Sequence, residues 1–365
     1  MARGPLAWIL AGTAFTAACA APPAVPLQSS TKKELPPEPP SPLVEVAYRE
    51  PASAFEIVDN VARWMPEKND EEYLVEWERR FGPLSADDRR QLDAWSSLRE
   101  AHYPSEEERP SGRQDLFARR KAPDVIAEAF YGAKTEEEAF ASLGKQIGPA
   151  KTAIARAVFD HLRPRIAQLL VEDARYAQIA RELAAKMDPA KTEAHVKRLL
   201  RFYRAERRSE TFTVLFVHWP PVENVQANNR GRFLLMKYNA VAHAAGAVRD
   251  VEIPMHEIAH WASAHGKFDR EGLSARFLSQ CKPNAKTPKI LEEPLAVAHQ
   301  KVFLRIVDPS RFDRQGKWYS SDPWIAPFAK ELFDVVQASH ELSGSLDETF
   351  VDQAAAACNR VLPKP

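Results

Sequence analysis

The chain has no surplus of either charge and little that bends. Lysine plus arginine equals aspartate plus glutamate, 50 against 50 over 365 residues. Without such a surplus, no whole-molecule field draws the protein to nucleic acid or to anionic lipid. Glycine is sparse at 13 and proline plentiful at 29, which favours helices and stiff loops over flexible hinges. Cysteine is reduced to Cys19, Cys281 and Cys358. What is present is ordinary: 45% hydrophobic and 27% charged residues, the composition of a soluble globular protein. The length suits two lobes or one large domain with insertions.

The start of the chain has its own character. Arg3 precedes an apolar run from Leu6 to Ala18, well short of the ~20 residues that span a bilayer, so residues 1–19 read as a secretory signal. Cleavage after Ala20 is one route. The other is lipidation of Cys19, because Thr16-Ala17-Ala18-Cys19 resembles a bacterial lipobox, with threonine where leucine is usual. Residues 20–43 form a proline-rich polar linker, which stays extended as a semi-rigid spacer. A spacer makes sense behind an anchor, which favours a lipid at Cys19, membrane attachment and an outer-membrane or periplasmic location. Cys281 and Cys358 then remain as a pair in an oxidising compartment and are expected to form a disulfide.

From residue 44 to about 208 the pattern reads as successive helices. Tyr73, Val75, Trp77 and Phe81, then Leu92, Trp95 and Leu98, recur at helical spacing. Ser85 followed by Asp88 marks a helix start, and Pro164 divides two amphipathic stretches, Pro149 to His161 and Pro164 to Met187. The character changes at Thr211. The run to Trp219 reads as a strand ending at Pro220-Pro221, and a polar turn leads to a second strand, Arg232 to Tyr238, expected to pair antiparallel with the first. Helices resume over 251–265, 270–280, 291–307 and 327–339. The expected class is α+β, mostly helical, with a small antiparallel sheet and a helix that carries the chemistry.

That helix holds "PMHEIAHWASAHG". His256 and His260, four apart, project from one helical face and can occupy adjacent corners of a zinc tetrahedron. Glu257 then lies beside the open position, placed to take a proton from water that the metal activates and to pass it to a leaving group. Ile258, Ala259, Met255, Trp261 and Ala262 are all uncharged, as befits a buried helix rather than a surface coincidence. Gly266 follows as a stop, and Pro254 fits only in the first turn.

The motif resembles that of the zincin metallopeptidases. The resemblance covers the motif helix and, more loosely, the stretch to about Val307, so residues 209–365 are expected to form a zincin-like region. Ser263 and Gly266 stand where one branch of that group has glycine and histidine, which excludes the branch. The gluzincin-like alternative takes a glutamate from a second helix, and "ILEEPLAVAHQ" matches through Glu293 and Ala296, with Glu292 as competitor. The resemblance implies zinc held by His256, His260 and Glu293, with Glu257 as base in the hydrolysis of a peptide or protein. For the donor opposite Glu257, Tyr319 and His340 are candidates. His299, His265, His218 and His243 carry no spacing argument. Arg232 to Tyr238 is the candidate edge strand for an extended substrate. Two rivals stay open: a catalytically silent zinc-binding protein of the envelope, and a helical scaffold lipoprotein with a chance motif.

Overall fold

The computed structural model describes residues 42–66, 69–103, 116–117, 122–205, 211–281, 291–319 and 323–361. Cys19, the signal segment and the linker up to residue 41 lie outside the described residues.

Alternate residues of a strand face opposite sides, and two strands here are apolar on both. β2 (Phe212–Phe216) and β4 (Phe233–Lys237) are buried along their whole length, as in a sheet covered on both faces. Val214, Phe216, Leu234 and Met236 enter one core, and Leu215, Val217, Phe233 and Leu235 the other. The strand order is β1-β2-β4-β3, with β1 (Val44–Tyr48) and β3 (Gln226–Arg230) at the edges. β1 and β4 both run parallel to β2, and β3 runs antiparallel to β4.

Three expectations about the sheet are corrected. Val44–Tyr48 is a strand rather than the start of a helical stretch, paired from Val44 opposite Phe212 to Tyr48 opposite Phe216. The runs after Thr211 and Arg232 do not form an antiparallel pair; they are parallel. The chain reverses inside the supposed polar turn, where β3 joins β4 through Gly231 and Arg232. Gly231 has a φ of 61°, the positive value that a two-residue hairpin loop demands at its first position. The sheet is therefore mixed, not antiparallel.

Helices cover both faces. α1 (Glu50–Val61), α2 (Glu71–Phe81), α3 (Ala86–His102), α4 (Val125–Gly132), α5 (Glu136–Ile147) and α6 (Pro149–Leu169) build the core on the Leu215 face. Ser85 caps α3 through its hydroxyl, which accepts from the Asp88 N–H, while the Asp88 carboxylate accepts from the Ser85 N–H. Pro164 does not divide two helices but lies inside α6. It is exposed, as is Asp160 one turn earlier, so the hydrogen bond that proline cannot donate is missing on the solvent side of the helix.

The other layer holds α7 (Tyr176–Lys186), α8 (Pro189–Phe202), α9 (Ala244–Arg249), α10 (Ile253–His265), α11 (Arg270–Gln280), α12 (Glu292–Val307), α13 (Ile325–Glu341) and α14 (Glu348–Val361). α14 went unread in the sequence. Cys281, at the end of α11, is bonded to Cys358 of α14, with Cα atoms 6.2 Å apart. The boundary drawn near residue 208 falls within one compact unit, Ser41–Pro365. No helix of the described residues is long and apolar enough to cross a membrane.

Candidate metal centre

α10 packs against β3, β4, α8 and α12, which explains why its middle carries no charge except the motif itself. Pro254 occupies the first turn, where its missing N–H has no helical partner to lose. His256 and Glu257 are 9% and 7% exposed. α12 starts beside them with Glu292 and Glu293 in its first turn, where the helix dipole favours carboxylates.

Three donors meet there. The Nε2 atoms of His256 and His260 are 3.0 Å apart. Glu293 approaches with one oxygen 3.1 Å from His256 Nε2 and the other 3.3 Å from His260 Nε2. A tetrahedron with bonds of about 2.0–2.1 Å has edges of about 3.3 Å, so the donor set fits an ion of zinc's size. His256, His260 and Glu293 form the one such group among the described residues.

Glu292 does something else. Its carboxylate lies 2.8 Å from His260 Nδ1, on the opposite edge of the ring. Successive residues of a helix point about 100° apart, which sends Glu293 to the Nε2 atoms and Glu292 behind His260. With Nδ1–H donating to Glu292, Nε2 keeps its lone pair for a metal. His256 Nδ1 is buried with no hydrogen-bond partner among the described residues.

The electrostatics suit a cation. Burial works against charge on His260, but hydrogen bonds to Glu292 and Glu293, with Glu257 nearby, push its pKa up to about 10. Burial likewise works against charge on Glu293, yet His256 and His260 hold it well below the usual carboxylate range. Glu293 is therefore held as its anion, and a proton on histidine or a metal ion balances it.

Three further contacts position the cluster. Asn229 of β3 donates through Nδ2 to the Glu257 carbonyl at 3.0 Å, docking the edge strand on α10. Glu252, the residue before α10, lies 3.1 Å from Lys301 Nζ of α12, tying together the two helices that supply donors. Arg270 donates to the carbonyls of Ser263 and Ala264 near the end of α10. Only Glu252 left a trace in the sequence: it precedes His256 by four residues and so shares its face.

Arg232 to Tyr238, the candidate edge strand, is corrected: β4 has a neighbour on each side, and the edge strand beside α10 is β3. Tyr319 is half-buried against the core of α7 to α14. His340 and His299 lie in that core, 5.0 Å apart between ring centroids. His265 stacks on Trp261, His218 sits between Asp173 and Glu76, and His243 accepts from the Asn239 N–H.

No family model matches the chain, and neither does any curated relative or solved structure.

Proposed function

We propose that the protein is a zinc-dependent hydrolase of peptide bonds with gluzincin-like ligation in a zincin-like region. The observation that carries this reading is the convergence of His256, His260 and Glu293 on one point beside Glu257. Two imidazoles and one carboxylate are a donor set suited to zinc, and three protein ligands are the number that leaves a position open. When bound, zinc acts as a Lewis acid that lowers the pKa of water and polarises a carbonyl.

The chain's own residues supply the rest. Glu257 serves as general base, taking a proton from the attacking water and returning it to the departing amine. Glu292 fixes the His260 ring and the nitrogen it presents. The outer edge of β3, docked on α10 through Asn229, offers backbone groups along which an extended peptide can lie. The leader and linker support a cell-envelope location with a lipid at Cys19.

The test is Glu257→Gln. Zinc should remain at one equivalent per chain while hydrolysis of a peptide library falls by about 10²–10⁴-fold. Full activity in that variant would sink the mechanism. One equivalent of zinc with no hydrolysis in the unaltered protein would replace it with the silent zinc-binding lipoprotein.

A further inference from the structure

α12 carries Glu292 and Glu293 at one end and, two turns on, meets two other helices over three histidines. These are His195 of α8, His299 of α12 and His340 of α13. His195 and His299 are fully buried, and His340 is 6% exposed. The His340 ring centroid is 5.3 Å from that of His195 and 5.0 Å from that of His299. Phe303 packs on His195, and Phe202 and Tyr203 on His299. None of the six ring nitrogens has a hydrogen-bond partner among the described residues.

That is an unusual use of histidine. A neutral imidazole brings one N–H donor and one lone pair, and burying both unmet is unfavourable. Phenylalanine, already abundant around the cluster, would fill a similar volume without that penalty. The distinguishing property of imidazole is a charge change at mildly acidic pH. The charges facing the cluster all oppose a proton. Arg198 of α8 acts on His195 and His340, and the histidines act on one another. Tyr203 beside His299 is uncharged, because burial and then Glu292 push its hydroxyl pKa up. Phe350 of α14, packed on Phe202, brings no charge. Among the described residues no carboxylate acts on the three rings.

We propose that His195, His299 and His340 form an acid-sensitive seam, whose protonation parts α8, α12 and α13 and draws Glu292 and Glu293 away from α10. The first proton is resisted by burial and by Arg198. Once the seam opens to water, each ring returns to an ordinary pKa near 6.5 and takes up a proton, so the transition is steep. The sign follows from linkage. Burial holds His195 and His299 well below their ordinary value and His340 down to about 4. The seam's contribution is therefore complete above about pH 6.5 and is lost as pH falls below it. The seam is independent of whether the donor cluster is hydrolytic.

The experiment follows hydrogen exchange in α12 and α13 of the full chain from pH 7.5 to 3.5, with zinc equivalents measured in parallel. The unaltered protein is compared with His195→Phe/His299→Phe/His340→Phe and with His340→Phe alone. The triple variant should open about one pH unit lower or more, with about three fewer protons taken up, and the single variant with about one fewer. If the triple variant does not fold, the single variant decides. Unchanged midpoint and steepness in whichever variant decides would overturn the proposal. So would a ring NMR signal of any of the three titrating near 6.5 in the closed protein. A second equivalent of zinc, present in the unaltered protein and absent from the variant, would also overturn it by making the cluster a metal site.

Discussion

Glu292 and Glu293 are neighbours in sequence and differ in task. Glu293 faces two Nε2 atoms, while Glu292 holds the back of one ring. Glu292→Gln retains a carbonyl oxygen that can accept from His260 Nδ1 but removes the charge, so zinc affinity should fall by about 10–100-fold. Glu293→Gln removes a ligand and should cost considerably more. Competition against a chelator of known affinity measures both, and equal losses would show that the two glutamates share one role. At this scale the sequence is informative where geometry is local. His256 and His260 share a face because four residues make nearly one helical turn. The choice between Glu292 and Glu293 is set by how α12 is rotated against α10, a tertiary relation that no spacing within "ILEEP" contains. The same holds for Asn229, which reaches Glu257 from a strand 28 residues away.

At the scale of elements, the end of α10 shows how a correct boundary can have a different cause. A glycine after a helix suggests the left-handed stop, but Gly266 is extended, with a φ of −66°. Glycine is needed because another segment passes close by. A Cβ there would lie 2.3 Å from the Tyr203 carbonyl oxygen and 2.7 Å from the Phe268 ring, at the point where Ala205 and Gly266 form an isolated bridge. Gly266→Ala should therefore destabilise the protein by about 1–3 kcal/mol through overpacking. Urea unfolding measures the loss, and an unchanged midpoint would show that the Tyr203 segment yields freely. Helix periodicity was legible through most of the chain because amphipathic faces repeat locally. The strand β3 was not, because Gln226 to Arg230 is a half-buried edge strand whose residues are polar except Ala227, and the Gly231 that closes its hairpin resembles any loop glycine. Pro164 misled for the converse reason: exposure lets α6 tolerate a residue that a buried helix would not.

At the scale of the molecule, the sheet is where distant sequence meets, and its parallel pairings are the part least written in local pattern. Among the described residues eight α-helices separate β1 from β2, and five residues with one face half-buried give little periodicity to read. His218, just beyond β2, lies where both helical layers are tied to the sheet. Its Nδ1 is 3.0 Å from Asp173, in the turn before α7, and its Nε2 is 3.3 Å from Glu76 of α2. Burial alone would keep this ring neutral, but Asp173 and Glu76 push its pKa up to about 9. Because the folded value exceeds the unfolded one, near 6.5, this stabilisation is complete below about pH 6.5 and lost as pH rises through about 9. Burial first, then nearby acids, pushes Tyr48, Tyr73 and Tyr176 further up, so these neighbours stay protonated across the window. His218 should contribute a fall in unfolding free energy on the order of 3 kcal/mol between pH 6.5 and 9.5, on top of the fall that His260 brings in the metal-free protein, and the slope should be shallower by that amount in His218→Gln. Urea titrations at several pH values check it, and parallel slopes in the two proteins would show that the layers are not held by a charged histidine.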